Sequence, residues 1–327
     1  MHKTKNIAIL FLFVVVYLGN IFQAKAQNSA DVSIMRLDKD FQTFLSKPTK
    51  SEGDKLVKKY PSLFPAFGQI TVGKMIDNDT TAFYKTLTDY FSHPELKKVY
   101  IDEQKKFKDI ATYEKELSEA KAIAASLLPD RQFPRVAMHV SGFKENIIII
   151  DGIISLSAEK YMGSDYGLYQ SFFPADERFQ MAPEFITRDY LKAWILGEDI
   201  IKTEDKQTLI SAMVEQGKLL FLLSKLLPDS SPSDIAGFTQ PEIEWFEKNE
   251  ARVWKAASKG NTLFSTQRQV IGKYMDERGG MADSPKQVGA LTGWRIVEQY
   301  ARNTGITAKE ILAKDTETIL KGAKYKP

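Results

Sequence analysis

Four consecutive isoleucines, Ile147–Ile150, stand in the middle of a chain whose flanks carry a helical pattern. An unbroken β-branched run of this kind reads as a strand buried on both faces, and so predicts the central strand of a small sheet. Residues 135–140 predict a partner strand, with residues 141–146 as the turn between them. The isoleucine strand itself reads on to Ser157, with a bulge at Asp151-Gly152. A further short strand is expected over residues 32–37, from its alternation of apolar and polar side chains.

Around this β segment the apolar spacing is helical. Residues 109–128 place Ile110, Tyr113, Leu117, Ala120, Ile123, Ala124 and Leu127 close to one face, and Pro129 ends the run. Further helices are expected from Pro183 to about residue 196, where Gly197 terminates it, and from an N-cap at Thr203 to residue 227. Two more follow, one opening at Pro241 and one at Ser284-Pro285 that continues to residue 302. Gly289 and Gly293 lie four apart on that last helix, beside Trp294, Ile296 and Val297. It is therefore expected to pack closely on the 208–227 helix, so that Gly293→Leu overpacks the contact. No linker or repeat divides the sequence. The fold class is α+β: a mainly helical single domain with a small central sheet.

The first 26 residues predict a destination. Basic residues lead into an apolar run of twelve, from Ile7 to Leu18, and Ala24-Lys25-Ala26 then offers a small-x-small cleavage site before Gln27. The order and lengths are those of a secretory signal peptide, and the run falls short of the roughly 20 residues a membrane span needs. Residues 27–327 form the remaining domain, expected in the periplasm. Removing the leader takes away Lys3, Lys5 and Lys25, which brings the basic residues level with the 42 acidic ones. A balanced chain without a concentrated basic face gives no support for nucleic-acid binding.

Chemistry is narrowed by what is missing. The chain has no cysteine, and only His93 and His139 remain beyond His2. Thiol catalysis, disulfides and cysteine-based metal sites are therefore excluded. A zinc-protease helix needs two histidines four residues apart with a glutamate between them, whereas these two are 46 apart. His139 reads as a packing residue within a strand and His93 as a cap or turn residue before Pro94. Ser155, Ser157 and His139 can approach one another on paired strands, but no Gly-x-Ser-x-Gly elbow or orienting acid accompanies them. Glu242, Glu244, Glu247 and Glu250 read as the solvated face of a helix whose other face holds Trp245, Phe246, Val253 and Trp254. Arg188 is expected to pair with Glu184 at four-residue spacing. The segment from Tyr161 through Met162, Gly163, Ser164 and Asp165 to Tyr166 admits either a ligand loop or a packed turn. No catalytic, cofactor-binding or metal-ligating set is assigned, and no cofactor is implied.

Three stretches taken together resemble the gliding-motility-associated GldB family of the Bacteroidetes. They are residues 153–169 (IISLSAEKYMGSDYGLY), residues 208–254 from TLISAMVEQGKLLFLLSKLLPD to the helix ending in ARVW, and residues 283–300 (DSPKQVGALTGWRIVEQY) with the terminal KYKP. The resemblance implies a zincin-like layout of strands, an active-site helix and a second helix supplying a third ligand. At the active-site helix this chain has Pro183, Glu184, Arg188 and Asp189 and no histidine, and Glu215 falls in the third-ligand neighbourhood. The layout is therefore that of a peptidase scaffold without its metal site. By resemblance, the function is that of an exported, non-enzymatic protein supporting envelope machinery, for gliding motility or the associated secretion, with envelope proteins as partners. The alternatives are a divergent hydrolase built near Glu215 and Asp189, or a peptide- or glycan-binding module using the degenerate peptidase cleft. GldB proteins are typically tethered by a lipid on a cysteine after the signal, and this chain has Ala26-Gln27 at that place.

Overall fold

A computed structural model describes residues 31–76, 80–276 and 283–327. The predicted leader, residues 1–26, lies outside the described residues. Within them the protein is mainly helical with one four-stranded sheet, the expected α+β class. The chain resolves into two compact units, one built from Ser33–Ile110 and Pro134–Met162, the other from Ala111–Phe133 and Gly163–Pro327 with residues 31 and 32.

The first unit holds strand β1 (Ile34–Arg36), helices α1 (Leu37–Ser46), α2 (Lys50–Lys59), α3 (Leu63–Val72), α4 (Thr80–Phe91) and α5 (Pro94–Lys106), then strands β2 (Arg135–His139), β3 (Ile147–Ile150) and β4 (Ile153–Ser157). Phenylalanine builds its core. Phe41 has its ring 5.1 Å from Phe91, 5.2 Å from Phe67 and 5.6 Å from Phe44, all of them buried. Edge-on and offset pairs at this spacing add to the burial of large apolar area.

The sheet corrects three expectations. Its order is β1-β2-β4-β3, so the isoleucine strand β3 lies at an edge, and β4 is the strand buried along its whole length. Asp151 and Gly152 form a two-residue turn rather than a bulge. Their φ angles of 46° and 67° are those of the hairpin turn whose twist matches its strands, and they fold β3 back antiparallel on β4. The segment at residues 141–146 therefore does not close a hairpin; β2 runs parallel to β4, with His139 opposite Ser157. β1 is parallel to β2, with Arg36 opposite Met138.

The second unit is helical throughout: α6 (Ala111–Leu127), α7 (Tyr169–Phe172), α8 (Ala175–Arg178), α9 (Ile186–Gly197), α10 (Leu209–Leu226), α11 (Pro232–Ala236), α12 (Gln240–Ala257), α13 (Arg268–Met275), α14 (Val288–Thr304), α15 (Ala308–Leu312) and α16 (Thr316–Ala323). α6 falls within the expected span. α10 starts later than Thr203, because residues 204–207 are held as a loop: Glu215 accepts from the Glu204 backbone N–H at 2.8 Å and from Gln207 at 3.0 Å. Thr208 is the cap, exchanging side chain-to-backbone bonds with Ser211 at 3.2 and 2.7 Å. α14 starts at Val288, after Gln287 in the left-handed region (φ 52°), so Pro285 precedes the helix and is not in its first turn. The expected packing of this helix on α10 is present. A Cβ on Gly293 would fall on the Met213 carbonyl, and one on Gly217 would fall on the Gly293 carbonyl, so the two backbones touch directly.

Candidate functional site

The densest polar cluster of the first unit sits at the carboxyl ends of its three parallel strands. Those strands end at Arg36, His139 and Ser157, and two residues beyond each end stand Asp38, Ser141 and Glu159, all without solvent exposure. In open sheets with parallel strands this is the end where ligands generally bind. Here the end is closed, and its polar groups are largely satisfied by one another.

Glu159 is the hub of one half. Its Oε1 accepts from the Ser141 backbone N–H at 2.8 Å, from the Phe143 N–H at 3.0 Å and from the Ser141 hydroxyl at 3.1 Å. Its Oε2 accepts from the Ser157 hydroxyl at 2.8 Å. A carboxylate in this position fixes the turn after β2 to the end of β4, which makes it a structural clamp. Lys160 is also buried, with its ammonium 5.6 Å from the centre of the Phe143 ring.

Asp38 and Glu103 form the other half. Arg36 donates from Nε to both Asp38 oxygens at 2.9 and 3.0 Å and from Nη1 to the Phe107 carbonyl at 2.9 Å. Gln104 donates to Asp38 at 3.1 Å and to Glu103 at 2.7 Å. Burial, and then the charge of Asp38, pushes the Glu103 carboxyl up to about 9, so it is protonated at neutral pH. One guanidinium thus neutralises one carboxylate, and the second acid carries its own proton.

His139 binds Ser155 through Nδ1 at 2.8 Å, with the edge of its ring towards Phe67 and the centroids 5.8 Å apart. Burial lowers its pKa to about 3, which leaves the ring neutral, and Nε2 has no hydrogen-bond partner. A Ser–His pair works as nucleophile and base only when the second ring nitrogen is held by an acid and the serine meets substrate. Neither condition is met, because Nε2 is unpaired and both residues have no solvent exposure.

The remaining candidates are dispersed. His93 is exposed at the start of α5 and caps no backbone N–H with its ring. Arg188 does not pair with Glu184; it bonds Asp189 at 2.6 Å and Gln180 at 3.1 Å and stacks on Phe185. The reason is local. Glu184 lies in a tight 3₁₀ turn before α9 begins, so the four-residue spacing is not α-helical there. Asp189 is thus engaged by Arg188, and Glu215 by the 204–207 loop. Glu242 closes a capping box with Thr239, while Glu247 pairs with Arg295 and Glu250 accepts from Tyr325. In the aromatic loop Tyr161 and Tyr169 are buried and Tyr166 packs edge-on against Tyr169, an arrangement of packed rings. Among the described residues, no group of three or more histidine, aspartate or glutamate side chains is placed to hold a metal ion.

The fold is thus a mainly helical α+β protein whose richest polar cluster is internal. Its family follows from comparison: the family model described as "Gliding motility protein GldB" matches residues 21–327, and the chain belongs to that family. No curated protein and no solved structure gives a significant match. Within these 327 residues there is no cysteine to carry a lipid, and no helix among the described residues is long and apolar enough to cross a membrane.

Proposed function

We propose that this gliding-motility-family protein is exported and serves the envelope machinery of gliding, or the secretion associated with it, as a binding and scaffolding component without chemistry of its own. The observation that carries this reading is the state of the Ser–His pair at His139 and Ser155. His139 and Ser155 are sealed from solvent, the ring is neutral, and no acid orients it. The acids nearest to chemistry in sequence, Asp189 and Glu215, are committed to Arg188 and to the 204–207 loop, which counts against a divergent hydrolase built on them. A descent from zinc peptidase-like proteins belongs to the same proposal and rests on the sequence resemblance: α9 would occupy the place of the active-site helix and α10 that of the third ligand.

Export is part of the proposal. The leader ends at Ala26, and a chain without cysteine has no thiol for lipid attachment. The protein purified from cells is expected to begin at Gln27 and to be released by osmotic shock, as read by intact-mass spectrometry and fractionation. An uncleaved or acylated N-terminus would contradict this.

A further inference from the structure

Two residues of the edge strand β3 turn their main-chain groups away from the sheet. The Ser157 N–H donates to the Asn146 carbonyl at 2.8 Å, which makes these two a bonded pair at the start of the β3–β4 ladder. Bonded and non-bonded pairs alternate in an antiparallel ladder, so Ile148 and Ile150 bond to β4 through Ser155 and Ile153. Ile147 and Ile149 therefore direct their N–H and C=O groups to the side away from β4. Among the described residues, none bonds to those four groups.

Such an edge is a template for another strand, and proteins usually blunt it with charge, proline or a bulge. β3 is short, but Ile147–Ile150 has none of these. The pleat divides its side chains between two faces. Ile148 and Ile150 share the face of Ser155 and His139, on which Phe67 of α3 packs, and Ile147 and Ile149 take the other. Ile147, Ile149 and Ile150 are only half-buried, so an added strand would cover apolar surface as well as bond. Opposite charges mark the two ends of the strand. Lys144 before it is exposed, and so is Asp151 after it, which accepts from the Ser62 hydroxyl.

A second copy of the chain fits this edge poorly. Pairing Ile147 of one copy with Ile149 of the other uses every outward group, but it sets Glu145 opposite Asp151, and like charges directly opposed are unfavourable. A partner with complementary ends avoids that clash. We infer that β3 takes up an extended segment of another polypeptide, about eight residues long and antiparallel, the slightly more stable pairing. Its middle is apolar and β-branched, a basic residue at its N-terminal end faces Asp151, and an acidic one at its C-terminal end faces Lys144. This names a surface and a partner class for the binding role proposed above and rests on that reading.

The probe is the N-acetylated, C-amidated peptide Lys-Val-Thr-Val-Thr-Val-Thr-Glu, whose third and fifth residues lie opposite Ile149 and Ile147. Titrated into the purified protein and followed by NMR, it is expected to bind with roughly millimolar affinity or better. It should slow amide exchange at Ile147 and Ile149, which exchange fast without it, while Ile148 and Ile150 are slow throughout. N-Methylation of the third or fifth residue removes an N–H that faces β3 and is expected to weaken binding by about tenfold. Methylation of the fourth, whose N–H points away, should change it by less than about twofold. Ile149→Pro removes an outward N–H and no ladder bond, so it is expected to fold and to bind about tenfold more weakly; if it does not fold, the methylated peptides decide. Lys144→Glu should weaken the probe and favour instead the peptide ending in lysine. No binding, equal loss from methylation at all three positions, or indifference to the Lys144→Glu exchange would overturn the assignment. So would a dimer of the protein alone that Ile149→Pro dissociates. Failure here removes this surface alone, since complementation in cells tests the binding role separately.

Discussion

Gly293→Ala is expected to destabilise the second unit by about 3 kcal/mol, at the upper end of ordinary overpacking costs. For a unit of this size that lowers the melting temperature by roughly 6–12 °C. The methyl would fall on the Met213 carbonyl, and a backbone atom cannot move aside as a side chain can. Relief would require separating α10 from α14 along their contact, which also holds Gly217 against Gly293 and Trp294. Leucine at the same position should cost more still. Gly289→Ala should cost less, since its methyl would mainly meet the flexible Met275 side chain at 2.5 Å. Gly167→Ala is the control, because no atom lies within 4 Å of its Cβ position. Circular-dichroism melts of these variants settle the order. A Gly293→Ala protein melting with wild type would show that the two helices are not in backbone contact.

Glu159→Ala is the second large effect, at about 4 kcal/mol. It strips the acceptor from two backbone N–H groups, Ser141 and Phe143, each costing about 1–3 kcal/mol when left unpaired. The hydroxyls of Ser141 and Ser157 lose the same partner. Glu159→Gln keeps an acceptor oxygen for the N–H pair but presents N–H₂ to Ser157, and should lose about half as much. Urea unfolding read in parallel for both variants tests the clamp; a loss below about 1 kcal/mol in the alanine variant would mean that water satisfies those groups.

How far the sequence disclosed this arrangement depends on the range of the signal. The 3.6-residue pattern of α6 and the proline-led start of α12 are local, and both were legible. So was the small-residue face of α14, because two glycines four apart have one physical use beside bulky neighbours. The sheet was legible only as a sheet. Four isoleucines suggested a central strand, but the Asp-Gly pair after them is a hairpin signal, and reading it as a bulge fused β3 and β4. The strand buried along its whole length, IISLS, carries two serines that make it look half-exposed. They are buried because His139 and Glu159 supply their partners.

The polar cluster was barely legible. Asp38, Glu103, Ser141 and Glu159 come from four separate places in the chain and meet only because β1, β2 and β4 run parallel in one register. A regularity did exist, a polar residue two positions after each parallel strand, but it has meaning only once the strand ends are known. Glu103 comes from α5, and helical spacing alone does not mark it as buried rather than solvated. Family membership was easier to read, since the resemblance over the last 120 residues rests on order and spacing and needs no individual site residue.

The central claim is that the protein supports its machinery without using histidine chemistry. The most direct measurement is complementation of a deletion strain by the His93→Gln, His139→Gln double variant, after a melt shows that it is folded and fractionation shows that it is exported. Full restoration of the deletion phenotype is the expected result. Failure of a folded, correctly localised double variant would contradict the account and assign a chemical role to His93 or His139.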